Sequence, residues 1–166
     1  MIKGKISIMA VFLHLLLIAV PVILFWQSAP ILDSAESSAD RYVIFCAVPL
    51  YVIFTLYAVA APLVNLKTVI IDDVLISYKY LLRKKNYSLK DVDGYFTMEL
   101  PSRDNTYETI YPVKNNKILP PISSFYTSNY DEIKKAIPFR NLGKVKFSWK
   151  NYLVLLLYKK YNELNK

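Results

Sequence analysis

Few side chains in this sequence could do chemistry, and their spacing limits what that chemistry could be. Asp72-Asp73 and Asp131-Glu132 are paired carboxylates, the arrangement that acid–base work or a hard cation would need. Each pair also has a structural account. The first sits between two β-branched runs, where a turn is expected. The second falls at a helix start, where negative charge suits the positive end of the helix. With one histidine, His14, and one cysteine, Cys46, the chain offers no His-pair metal motif, no cysteine zinc site and no disulfide framework. Both residues lie in apolar runs. There His14 is expected to hydrogen-bond to a partner helix and Cys46 to act as a small apolar residue. Three glycines in the whole chain leave no glycine-rich phosphate loop. No catalytic, cofactor-binding or metal-binding residue is therefore expected, and the sequence reads as non-enzymatic.

Two basic groups remain. Lys79 with Arg83, Lys84 and Lys85 surrounds an expected hairpin connection at Arg83–Lys85, which makes these four the candidate contacts for anionic headgroups. The plainer alternative is a solvated charge run. Further on, Lys144, Lys146 and Lys150 surround Phe147 and Trp149, ahead of the apolar heptamer Tyr152–Tyr158. Lys144, Lys146, Trp149 and Lys150 are the candidate interfacial contacts.

The elements that must carry these groups follow from composition. Of 166 residues, 54% are hydrophobic and 20% charged, which excludes disorder and is unusual for a soluble domain. The excess sits in two uncharged runs, Ile6–Trp26 with 21 residues and Tyr42–Val64 with 23. As helices they would extend roughly 31 and 35 Å, enough for a hydrocarbon core of about 30 Å. Their Leu, Ile, Val and Phe residues favour insertion by roughly 4–8 kcal/mol per segment. Trp26 and Tyr42 stand at segment ends, where interfacial anchors belong. Pro21, Pro49 and Pro62 are compatible with spanning helices. Lys3 and Lys5 precede the first run and Lys67 follows the second, whereas the connector 27–41 holds Asp33, Glu36 and Asp40 against Arg41 alone. The positive-inside rule then places both termini in the cytoplasm of a multi-pass inner-membrane protein, with the connector outside. A cleaved signal peptide is the competing reading of the N-terminus, but the apolar run is long for one.

Residues 65–166 hold 18 Lys and Arg against 10 Asp and Glu, so the net charge of +8 belongs to this part alone. Membrane lipids and another membrane or cytoplasmic protein are the expected partners. Nucleic acid is not, because a tethered basic domain meets the anionic leaflet first, at about 1 kcal/mol per well-placed Lys or Arg. The oligomeric state is left open.

Alternation marks strands at Thr68–Ile71, Val74–Tyr80, near Asn86–Leu89, at Val92–Leu100 and at Tyr107–Val113. Asn115-Asn116 is a two-residue turn, and Ile118–Leu119 and Ile122–Tyr126 follow as short strands around Pro120-Pro121. A helix capped at Ser128 carries Tyr130, Ile133 and Ile137 on one face and stops at Pro138. The expected fold is an α+β membrane protein: a transmembrane hairpin over 1–64, a mainly antiparallel β barrel or curled sheet over 65–138 capped by that helix, and an extension over 139–166. In the extension, Ser148 caps a helix running to about Leu164. That helix either lies in the membrane interface or packs on the sheet or the hairpin; a β extension is the remaining option.

The stretch from Thr68 to Tyr78 (TVIIDDVLISY), the basic turn and Tyr87-Ser88-Leu89-Lys90-Asp91-Val92 together resemble the opening of bacterial pleckstrin-homology-like (PH-like) domains. Ile122–Ile133 is similar to the last strand and helix start of membrane-anchored members, which also carry two spanning helices ahead of the domain. The resemblance covers residues 66–138 and the topology. It implies a seven-stranded barrel-like sheet capped by a C-terminal helix, and a binding or scaffolding role without catalysis. In eukaryotic relatives phosphoinositides are held by basic residues of the first hairpin; Lys79, Arg83, Lys84 and Lys85 occupy comparable places. The alternative function is an accessory or regulatory subunit of a transport or secretion complex, acting through the spanning helices.

Overall fold

The two uncharged runs form the two long helices, α1 (Ile8–Asp33) and α2 (Ser38–Asn65). The computed structural model describes residues 1–33, 38–102 and 105–164, with side chains described except at 25, 28–33 and 38–47. The helices outrun the expected spans of 6–26 and 42–64, because the backbone ladder does not stop where hydropathy falls. Most of the expected 27–41 loop is therefore helical. Residues 34–37, and the side chains of Asp33, Asp40, Arg41, Tyr42 and Cys46, lie outside what is described.

The chain divides into two units, Ile8–Leu66 and a second that joins Met1–Ser7 to Lys67 onward. Residues 1–7, expected with the helices, fall with the second unit. In the helical unit Ala10, His14 and Pro21 of α1 and Ala58 and Ala61 of α2 are buried. Small residues let two helices approach closely without a thick layer of side chains. The Tyr51 hydroxyl donates to the Pro21 carbonyl at 2.8 Å and ties the two helices together.

The second unit is built of two sheets. The first contains β1 (Ile2–Lys3), β2 (Lys67–Ile71), β3 (Leu75–Tyr80) and β4 (Lys84–Ser88), in that order and all antiparallel. The second contains β5 (Gly94–Pro101), β6 (Thr106–Lys114), β7 (Lys117–Ile118), β8 (Ile122–Ser123) and, after α3 (Tyr130–Ala136), β9 (Asn141–Val145). Its order is β7-β6-β5-β9, with β8 also on β6 and β9 parallel to β5. The last helix is α4 (Trp149–Leu157). The fold is α+β, with four α-helices and mainly antiparallel sheets among the described residues.

No strand of one sheet pairs with a strand of the other among the described residues, so the expected barrel is not closed. After β4 a single 3-10 turn, Leu89–Asp91, redirects the chain, and the side of β5 away from β6 is taken by β9. The second sheet is instead a middle layer. Tyr95 and Ile110 face one core with Val69, Ile76, Tyr78 and Ile133. Phe96, Met98, Tyr111 and Val113 face another with Val145, Leu155 and Leu164. The expected alternation in β5 and β6 is present, but both faces are covered. Asn115 and Asn116 both adopt positive φ, 49° and 62°, in the expected β6–β7 turn.

The segment 139–166 is no appendage. It supplies β9, α4 and part of the second core. The expected helix to Leu164 ends at Leu157, because Lys159 takes φ +52° and the tail turns to clasp the β6–β7 turn. Ile118 N–H donates to the Lys159 carbonyl at 2.8 Å, and Asn162 N–H to Asn116 Oδ1 at 2.8 Å.

Candidate functional site

The first basic group is displaced from its expected arrangement. Lys84 and Lys85 are strand residues of β4, and the β3–β4 turn is made by Leu81, Leu82 and Arg83, closed by Tyr80 N–H to the Arg83 carbonyl at 2.8 Å. Leu81 and Leu82 stand 74% and 80% exposed at the tip. Assigning the turn to the charged residues overlooked that two leucines can be left in solvent. Successive strand residues point to opposite faces, so Lys84 and Lys85 cannot share a patch. Lys84 sits opposite Lys79, and Lys85 opposite Tyr78. Like charges directly across a strand pair repel, which makes the Lys79–Lys84 face a place where an anion is favoured.

Beside that pair, the base of the β3–β4 turn carries a grouping that the sequence did not single out as a unit. The Tyr80 ring has the Arg83 guanidinium 5.0 Å from its centroid and the Lys67 ammonium 5.8 Å away. Lys67 stands opposite Tyr80 in the β2–β3 register. Burial pushes its amine down to about 8. Tyr80 and Arg83 meet across the local turn, but only the β2–β3 register adds Lys67, so no local motif could have revealed the three together.

The second basic group lies along β9 and α4. Lys144 stands opposite Thr97 in the β5–β9 register and is ion-paired to Glu99 two residues further along β5, and is thereby engaged. The side chain of Ser148 accepts from Asn151 N–H at 3.1 Å and caps α4 as expected. Phe147, Trp149 and Tyr152 form a ring cluster with centroids 5.7 to 6.2 Å apart. Lys146, Trp149 and Lys150 are exposed. One face of this helix packs on the sheet unit: Leu155 and Val154 lie against the second core, while Leu153, Leu156 and Leu157 are exposed.

The paired carboxylates have structural duties. Asp72 Oδ1 accepts from Val74 N–H at 2.9 Å and Leu75 N–H at 3.2 Å in the β2–β3 turn, and these bonds lower its pKa. Glu132 accepts from the Asn129 amide at 3.0 Å. Asn129 also accepts from Lys5 N–H at 2.7 Å and donates to the Lys3 carbonyl at 3.1 Å, and Ser128 N–H donates to the Lys5 carbonyl at 2.9 Å. Asn129, rather than the expected Ser128, is the N-cap position of α3, and its side chain makes no cap bond because it holds the N-terminal strand. His14 is buried, with Nδ1 2.7 Å from the carbonyl oxygen of Ala10 in its own helix, whereas a bond to the partner helix was the expectation. Among the described residues no cluster of three His, Cys, Asp or Glu side chains could hold a metal ion.

These surfaces define an α+β chain with a long apolar helical pair and a basic, leucine-tipped β unit. No protein-family model, curated protein or solved structure matches it.

Proposed function

We propose that the chain is a non-enzymatic membrane protein in which α1 and α2 cross the inner membrane as a hairpin. A PH-like β unit on the cytoplasmic side then presents basic surface to anionic lipid headgroups or a protein partner. The observation that carries this reading is the exposure of the helices' apolar side chains. In α2 the 18-residue window Val48–Asn65 has a mean hydropathy of 1.7 and is only 11% buried, whereas the core helix of a soluble protein would be mostly covered. In α1 the shorter stretch Ile8–Leu24 is also apolar and largely uncovered.

Two further features support it. The chain leaves the β unit at Ser7 and rejoins it at Lys67, and β1 and β2 on either side of this excursion pair with each other. An excursion that starts and ends in one sheet suits a hairpin with both ends on one side of a bilayer. The β unit also carries the chain's basic excess, and the Lys79–Lys84 pair lacks a carboxylate within ion-pair distance among the described residues. Catalysis is not part of the reading, because Asp72 and Glu132 are occupied in a turn and at a helix start.

Cysteine labelling tests it. In a Cys46→Ala background, Ser37→Cys reacts with a membrane-impermeant maleimide in intact cells, and Ser102→Cys reacts only after permeabilisation. Release of the protein by alkaline carbonate, or labelling of Ser102→Cys in intact cells, overturns the proposal.

A further inference from the structure

Helix α4 is apolar over more of its surface than the β unit covers. Leu155 and Val154 face the second core. On the opposite side Trp149, Leu153, Leu156 and Leu157 stand at i, i+4, i+7 and i+8 and are 73%, 52%, 55% and 72% exposed. The ends of this strip are cationic. Lys146 and Lys150 flank one end, Lys159 and Lys160 the other, all four exposed. None has a carboxylate within ion-pair distance among the described residues, whereas Lys144, on the sheet, is paired with Glu99. No Asp or Glu occurs anywhere between Glu132 and Glu163.

Leucines on one face, a tryptophan at its edge and unpaired lysines at both ends match an anionic leaflet in three layers. Acyl chains take the leucines, the glycerol level takes the indole and the phosphates take the ammonium groups. We propose that α4 is an in-plane membrane-binding helix that lays its Trp149–Leu157 face into an anionic leaflet. The inference deepens the hairpin reading and rests on it for the supply of a bilayer: a single residue, Leu66, separates α2 from β2.

The chain has two tryptophans, Trp26 and Trp149, so Trp26→Phe leaves Trp149 as sole reporter and Trp149→Phe leaves Trp26. The full-length single-tryptophan proteins are reconstituted into phosphatidylcholine vesicles with and without phosphatidylglycerol, using lipids brominated at different depths. In anionic vesicles Trp149 emission is expected to shift to the blue and to fall by roughly half with bromines near the headgroups, less with deeper ones. Omitting phosphatidylglycerol weakens the quenching, and Leu153→Ser with Leu157→Ser abolishes it. Both leucines are exposed, so the thermal midpoint is expected to hold and to show that the variant folds. An unquenched Trp149 overturns the inference, whether its emission is solvent-like or blue-shifted by a protein contact. Trp26 keeps the two proposals apart. If Trp26 is quenched and Trp149 is not, α4 alone is wrong; if Trp149 is quenched and Trp26 is not, the hairpin alone is wrong.

Discussion

The helical pair and the β unit place the same kinds of residue on opposite sides. In the β unit Ile76, Phe96, Met98, Ile110 and Ile133 are fully buried, and lysines line the outside. In the pair the buried positions among the described residues are Ala10, His14, Pro21, Ala58 and Ala61, while leucines, valines and isoleucines are exposed. Water drives apolar side chains inward because their transfer from it is favourable. Hydrocarbon removes that drive, and contact between helices then rests on close approach of small residues and on a few polar bonds. The Tyr51–Pro21 bond and the small buried residues follow the second pattern. The contrast is the one that two different solvents would select, and it can be broken or sharpened residue by residue.

The largest effect is expected inside the β unit. Phe96 is fully buried, stacked on Tyr111 at 5.0 Å and tilted against Tyr161 at 5.2 Å. Phe96→Ala should lower unfolding stability by about 3–5 kcal/mol, read by denaturant titration of the detergent-solubilised protein. A loss below about 1 kcal/mol would mean that the second core is loosely packed and the contrast overstated. Next comes a matched pair on the two exteriors. Leu16 in α1 and Val74 before β3 are 50% and 60% exposed. Val74→Arg meets water and should change stability by less than about 0.5 kcal/mol. Leu16→Arg should cost about 2.5–3.5 kcal/mol of membrane insertion, seen as a reduced inserted fraction in translation with microsomes. Equal behaviour of the two variants would remove the reason for assigning two solvents.

The same contrast explains what could be read from the sequence. The long helices are visible in composition, and β3, β5 and β6 in alternation, because these signals are local. What escaped was non-local or ran against habit. Strand β1 is two residues long, and its partners lie about seventy residues away in β2 and beyond one hundred twenty at Asn129. Lys3 and Lys5 therefore looked like nothing more than charges flanking a span. Strand β9 adds in parallel to a strand that precedes it by some forty residues, and nothing in Asn141–Val145 announces this. At the β3–β4 tip the basic run suggests a turn at Arg83–Lys85, but Leu81 and Leu82 form it with Arg83, and Lys84 and Lys85 belong to β4. Of the candidate site, Lys79, Arg83, Lys146, Trp149 and Lys150 were legible as exposed groups, whereas the Lys67–Tyr80–Arg83 stack needed the register. A smaller effect checks the N-terminal anchor. Asn129→Ala removes the bonds to Lys3 and Lys5 and should cost about 1–2 kcal/mol. Faster hydrogen exchange at Gly4, whose N–H donates to the Val69 carbonyl at 2.6 Å, should report it. Unchanged exchange there would show that β1 is held by its sheet pairing alone.

A last, small effect is expected at Lys67, where the chain re-enters the β unit after the helices. Burial holds its amine at about 8 against an ordinary value of 10.5. Between those values the unfolded chain keeps a proton that the folded chain has released, so stability rises with pH across that range and is flat below it. Tyr78, Tyr111 and Tyr130, which burial holds neutral, act in the opposite sense once unfolded tyrosines ionise near pH 10. The rise is therefore read between pH 8 and 10. Lys67→Met keeps the apolar stem and removes the charge. Stability at pH 7 should increase by about 1 kcal/mol, discounted from the full shift because the amine is only partly shielded, and the rise should vanish. The opposing influence is the attraction between the ammonium and the Tyr80 ring at 5.8 Å. If Lys67→Met is less stable at pH 7, that attraction exceeds the cost of burial, and Lys67 belongs with Arg83 as part of a cationic clamp on Tyr80 rather than with the core.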